Sequence, residues 1–129
     1  MKKIYLAIPY SGMQESSYNQ ANEAAVSILK SDNLVYSPIT SSHVLAGSDP
    51  DLRADWGFWS RLDLSFIDWA DELWVLVPKE GVEKVTDSIG VTDECIYASQ
   101  CDKPVHYVEL NNDKNLVKVD IHDYYIIKD

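Results

Sequence analysis

The 129-residue chain is short of cations, cysteine and long apolar runs, and each shortage narrows the function. Eleven Lys and Arg against 21 Asp and Glu leave a formal charge of −10. Binding a phosphate backbone needs clustered cations, so the balance argues against a nucleic-acid polymer or an anionic membrane as partner. No apolar run approaches the ~20 residues of a membrane span. The start, MKKIYLAIPYSG, sets two lysines before an apolar run of about six residues, below the roughly 7 to 15 of a signal-peptide core, and reads as a first β-strand. Cys95 and Cys101 fall about 120° apart on one predicted helix. With no CxxC or HExxH frame beside them, they offer neither a disulfide nor a metal site. The expectation is a reduced, cytoplasmic protein without structural metal. GxGxxG and GxxxxGKS/T are both missing, so neither a dinucleotide nor a P-loop triphosphate is expected, and the cofactor expectation is none.

What is present is the composition of a globular domain, 46% hydrophobic and 25% charged. The length suits one domain over residues 1–129 and is too short for two ordinary ones. KIYLAI (3–8) is a short apolar run ended by Pro9. Tyr18, Ala21, Ala25, Ile28 and Leu29 then recur at helical spacing between Glu15 and Ser31. LVYSP (34–38) reads as a second strand stopped by Pro38, and ITSSHVLAGSDPDLRAD as a long polar loop. WGFWSRLDLSFIDWADEL opens another helix. ELWVLV (72–77) is a strand buried on both faces, followed by a polar insertion (79–87), a helix near 88–101 and KPVHYVEL (103–110) as a fourth strand. Val117, Val119 and Ile121 alternate as a fifth. Strands alternating with helices imply an α/β fold, a flavodoxin-like or Rossmann-like three-layer sandwich on a mainly parallel sheet of about five strands. Ligands of such folds sit at the carboxyl ends of the strands where strand order reverses, so the loops Pro9 to Met13, Ser37 to Asp55 and Pro78 to Gly90 should line the site.

Two acids stand out of place. On the helix near 88–101, Gly90, Val91, Tyr97, Ala98 and Cys101 share an apolar sector and Glu94 lies in its middle, while Asp93 turns outward. On the helix before the third strand, Trp59, Leu62, Phe66, Ile67, Trp69, Ala70 and Leu73 share a face that contains Asp63; Arg61, Asp68, Asp71 and Glu72 point the other way. A buried carboxylate costs several kcal/mol unless compensated. Each acid alone could cap a backbone or pair with a buried cation, but both flank one predicted crevice.

YLAIPYSG (5–12), SPITSSH (37–43), the Trp59 to Asp63 to Asp71 helix and Ser88-x-Gly90-Val91-x-x-Glu94-x-x-x-Ala98 resemble the nucleoside 2-deoxyribosyltransferase-like superfamily over residues 5–105. The SPI-x-x-SH and W-x-x-x-D spacings look like a phage and bacterial branch of it whose function is unknown. The resemblance implies Glu94 as nucleophile at the anomeric carbon of a nucleoside sugar, Asp63 as the acid that holds or protonates the base, and the Tyr5 to Ser11 loop, with Pro9 and Tyr10, as lining of the base pocket. It also implies a nucleoside or nucleotide as small-molecule partner, and a homo-oligomer. Relatives acting on free nucleosides carry an aspartate where this chain has Ser88, and those hydrolysing nucleoside 5′-monophosphates carry serine.

The chemistry fits these residue types on its own terms. Cleaving an N-glycosidic bond builds oxocarbenium character that a carboxylate such as Glu94 can stabilise or bond, and a protonated Asp63 would ease departure of the base. A helix N-terminus with a serine hydroxyl suits a phosphate, where a carboxylate would repel it; Ser88 also suits an ordinary N-cap, and Asp87 weighs against phosphate, with only Lys79, Lys84 and Arg53 as scattered cations. Tyr5, Tyr10, Trp56 and Trp59 are candidates to stack on a base or simply to pack the core. His43 is a candidate ligand contact or a turn cap, while His106 and His122 lack metal-ligand partners. Gly90 completes the candidate site. The leading expectation is hydrolysis of a nucleoside 5′-monophosphate; base exchange on free deoxynucleosides and a catalytically silent nucleotide-binding or assembly module are the rivals.

Overall fold

Alternation along KIYLA sets the architecture, because the first strand must satisfy a hydrophobic layer on each side. In the computed structural model, which describes residues 1–52 and 55–121, this strand is β1 (Lys3–Ala7) and residues 4 to 8 are all buried. Ile4, Leu6 and Ile8 join one core cluster, Tyr5 and Ala7 the other. The first helix, α1 (Gln14–Lys30), covers the former face with Ala21, Ala24 and Ile28. The next strand is β2 (Leu34–Tyr36). Then come α2 (Pro38–Ser48), α3 (Trp56–Trp69), β3 (Glu72–Leu76), α4 (Val82–Asp87), α5 (Ile89–Gln100), β4 (Val105–Leu110) and β5 (Leu116–Val119). Ile67 and Ala70 of the α3 end, Val82 and Val85 of α4, and Val91 and Ala98 of α5 bury against the second face.

The sheet order is β2-β1-β3-β4-β5, with the first four strands parallel and β5 antiparallel to β4. The chain leaves β1 toward β2 on one side and returns to β3 on the other, so strand order reverses at β1 and β3 and a crevice opens at their carboxyl ends. This is the doubly covered, mainly parallel five-stranded sheet that the sequence pattern implies.

Five local expectations are corrected. The stretch after Pro38 is a helix, α2, not a loop: Pro38 ends β2 and fills the first turn of α2, where its missing N–H leaves no bond unmade. The polar insertion likewise contains α4, anchored by Val82 and Val85. The phase of α1 is rotated from that of a purely apolar stripe, since Leu29 is 55% exposed while Ala24 is fully buried. The rotation brings polar Ser17, Gln20 and Ser27 inside, each satisfied there. Ser17 donates to the Pro9 carbonyl, Gln20 accepts from the Lys79 N–H at 3.0 Å and donates to Glu80 at 2.8 Å, and Ser27 accepts from the Leu116 N–H at 3.1 Å. Glu72 is buried in β3 rather than turned to solvent, held by Lys2 Nζ at 2.7 Å and Trp74 Nε1 at 2.9 Å. Leu62, expected on the buried face of α3, is exposed. Arg53 and His122 lie outside the described residues.

The phase of α1 separates two neighbouring truncations. Ile28→Ala should cost about 2–4 kcal/mol of unfolding free energy, and Leu29→Ala less than about 0.5 kcal/mol, by urea denaturation. Equal losses would contradict the rotation.

Candidate active site

The crevice is a cavity of about 570 Å³. Pro9, Tyr10 and Ser11 of the β1–α1 loop form one wall and Ile39, Ser42 and Ala46 of α2 extend it. Across from them stand Trp56, Trp59 and Asp63 of α3, Lys84 and Asp87 of α4, and Ser88, Gly90, Val91 and Glu94 at the start of α5. The two helices that carry the acids begin with side-chain caps. Asp55 accepts from the Phe58 N–H at 2.9 Å, and Ser88 Oγ from the Val91 N–H at 3.2 Å. These caps fix where each helix starts, and hence which residue falls one to two turns in, facing the cavity.

Glu94 is 5% exposed and Asp63 6%. Glu94 Oε2 accepts a hydrogen bond from the Tyr5 hydroxyl. Asp63 Oδ1 has no hydrogen-bond partner among the described residues. Burial pushes the Glu94 carboxyl up to about 8; the Tyr5 hydroxyl opposes that rise, and the nearby charges of Asp63 and Asp93 add to it. Burial likewise raises Asp63 to about 7. The Tyr5 phenol is held well above its ordinary value by its own burial and then by the charges of Glu94 and Asp63, so it remains an O–H donor. Two neighbouring carboxyls therefore titrate near neutral pH. Glu94 stays the higher of the two even with the Tyr5 donor, so it must give up its proton before it can act as a carboxylate, while Asp63 has an oxygen free of partners among the described residues.

Of the residues expected at the site, Pro9, Tyr10, Ser11, Trp59, Asp63, Ser88, Gly90 and Glu94 all line the cavity. Tyr5 does not. It is fully buried on the α3 and α5 face of β1, beneath Glu94, and serves the carboxylate rather than a base. His43 is also displaced from the cavity: its Nδ1 lies 2.7 Å from the Tyr10 hydroxyl and its ring stacks on Tyr18 at 4.4 Å. Trp56, considered with the other aromatics, does line the cavity. Its Nε1 donates to Asp93 at 2.8 Å, and a Cβ placed on Gly90 would lie 3.6 Å from the indole. The sequence places the segment after Ser37 at the site, but as a loop; its helix, and with it Ile39, Ser42 and Ala46, escapes that reading although Ile39, Ser42, His43 and Ala46 follow a helical i, i+3, i+4, i+7 spacing. Among the described residues no group of three His, Cys, Asp or Glu side chains is placed to hold a metal ion. No described helix is long and apolar enough to cross a membrane.

Residues 2–110 match the family model described as "Domain of unknown function (DUF1937)". No curated protein matches the chain. Among solved structures it is similar to a 2-deoxyribosyltransferase from the psychrotolerant bacterium Bacillus psychrosaccharolyticus, at 22% identity and a TM-score of 0.58, over 85% of this chain and 74% of that one. The likeness is one of fold: the chain shares the α/β fold of that 2-deoxyribosyltransferase.

The raised carboxyls carry a stability signature. A carboxyl whose pKa is higher folded than unfolded binds its proton more tightly in the native state, so stability falls as pH rises from the unfolded value through the folded one. For Glu94 that window runs from 4.5 to about 8. Glu94→Gln removes the Glu94 share and leaves that of Asp63, so its stability advantage over the parent should grow by about 2–4 kcal/mol across the window in urea denaturation. Parallel curves would mean that Glu94 ionises freely in the folded protein.

Proposed function

The chain belongs to the DUF1937 family, and on that footing we propose that it hydrolyses the N-glycosidic bond of a nucleoside 5′-monophosphate, with Glu94 as nucleophile and Asp63 as acid. The observation that carries the reading is the pair of buried carboxyls on one cavity, one supported by a phenol and the other with an unpartnered oxygen. The Glu94 carboxylate attacks the anomeric carbon as the bond to the base nitrogen breaks. The bonding electrons leave with the base, which takes the Asp63 proton. Water then attacks the same carbon, its proton passes to the Asp63 carboxylate, and Glu94 is released with the sugar phosphate. Tyr5 keeps Glu94 aimed and offsets part of its burial. The similar structure's title names a 2-deoxyribosyltransferase, which supports glycosyl transfer as the broader class.

The choice of a monophosphate rests on the start of α5. The cavity meets the first turn of that helix, where free N–H groups, the Ser88 hydroxyl and Lys84 can receive an anion, although Asp87 stands beside them. Ser88 caps the helix by accepting from Val91, which leaves its own O–H free to donate. The reading includes assembly into a homo-oligomer, for which exposed Val44, Leu45 and Ile89 offer apolar surface.

Mass spectrometry of products from a nucleotide panel tests the reaction. Free base plus sugar phosphate is expected; a swapped base would indicate transfer to a second base, and binding without products a silent module. Glu94→Gln should lower turnover by at least about a thousandfold with the fold retained. Asp63→Asn should slow poor leaving bases more than good ones, and an equal loss for all would assign Asp63 to positioning.

Ser88 gives a separate test. Ser88→Ala should weaken nucleotide binding by about tenfold while leaving nucleoside binding nearly unchanged. Ser88→Asp should move preference toward the free nucleoside, because a carboxylate repels phosphate while still capping the helix. An affinity ratio that stays constant across the three proteins in calorimetric titration would remove the case for a monophosphate.

A further inference from the structure

His43 does not line the cavity, but it is bonded to Tyr10, which does. Its Nδ1 is 2.7 Å from the Tyr10 hydroxyl and its Nε2 is 3.2 Å from Glu15 Oε2. The ring is fixed between them by stacking on Tyr18 at 4.4 Å, and its side chain is only 23% exposed. The titratable groups facing it are Tyr10 from the β1–α1 loop and Glu15 and Tyr18 from α1; α2 itself carries no other charged residue.

A carboxylate oxygen only accepts hydrogen bonds, so Glu15, although its side chain is 78% exposed, favours the tautomer with the proton on Nε2. In a neutral imidazole the other nitrogen is then bare, and Nδ1 accepts the proton of the Tyr10 hydroxyl. Tyr10, which lines the cavity, is left with its oxygen lone pairs. Protonation of His43 reverses the bond: Nδ1 donates to the phenol oxygen and the Tyr10 O–H is freed.

We propose that Tyr10 is a specificity residue whose hydrogen-bonding polarity is set by His43, so that with His43 neutral the site selects a base bearing an exocyclic amino group over its oxo counterpart. This rests on the nucleotide reading above. With the sugar at Glu94 and the phosphate at Ser88, both on α5, the base is the part left to reach the wall formed by Tyr10 and α2. An amino group there meets an acceptor. A carbonyl oxygen meets a second acceptor and loses its bond with water without replacement. His43 acts through Tyr10 and is a positioning residue.

Two measurements test this. Nitrogen NMR of the histidine side chains, with His43→Gln to assign the signal, should show the tautomer protonated at Nε2 in the free protein; a neutral ring protonated at Nδ1 overturns the inference without any ligand. Calorimetric titration of Glu94→Gln, which binds without turnover, should then compare the cytidine with the uridine 5′-monophosphate and the adenosine with the inosine 5′-monophosphate. The amino member of each pair should bind about tenfold more tightly. The advantage should disappear in Tyr10→Phe, shrink in His43→Gln, whose amide can present either polarity, and fall as pH is lowered through the imidazole titration seen by NMR. Equal binding within the pairs, or a preference that survives Tyr10→Phe or is undiminished in His43→Gln, overturns the inference and leaves the proposed hydrolysis standing. Failure of every nucleotide to bind overturns both.

Discussion

The hydrogen bond from Tyr5 to Glu94 joins the fold to its chemistry. A carboxyl on the sheet-facing side of a helix is tolerated only where something inside the protein takes the place of water. Here the substitute is a phenol on the central strand, itself fully buried and held in its O–H form by its surroundings. The bond requires β1 and α5 to meet in one register. β1 is paired on both sides by parallel strands, and α5 is started by the Ser88 cap, so neither partner can drift. Moving Glu94 by one residue along α5 would turn it about 100° away from Tyr5.

The opposite wall is set from α1. Ser17 and Gln20 spend helix positions that could have buried apolar area on polar side chains. In return the Pro9 carbonyl is held by Ser17, and the Lys79 N–H and Glu80 are held by Gln20. Those contacts anchor the loops after β1 and after β3, one carrying Tyr10 and the other leading to Lys84. A cavity at a strand-order reversal is bounded by connections that no ladder restrains. Polar groups inside α1 supply that restraint, and they explain why its buried face is not the apolar stripe that periodicity suggests.

What the sequence made legible follows from the same physics. Asp63 and Glu94 were visible because an acid in an apolar stripe breaks a one-dimensional pattern, and the alternation of strands and helices is enough to place both helices beside the switch point. Tyr5 and His43 could not be placed that way. Alternation says that Tyr5 lies on one face of β1, but not that an acid waits there, and whether His43 lies before or behind Tyr10 depends on a helix the pattern did not reveal. That helix, α2, has Val44 and Leu45 exposed and many polar positions, so no strong stripe marks it. Its start was readable only from Pro38, whose place after a strand suits a stop and a helix N-terminus equally well.

In the proposed reaction the two acids divide their roles by what each lacks. Glu94 already has a donor, so its ionised form is partly supported before any ligand arrives. Among the described residues Asp63 has a buried oxygen without a partner, a state that costs roughly 1–3 kcal/mol and is rarely kept without a use. A ligand that brings a hydrogen-bonding atom to that oxygen recovers the cost on binding. A base nitrogen that gains electrons as its glycosidic bond breaks recovers more of it in the transition state than in the bound substrate, by accepting the Asp63 proton. Such an interaction, stronger at the transition state than before it, is what accelerates a reaction rather than only tightening binding. An Asp63 satisfied by its own protein would be more stable and would have less to offer the leaving base.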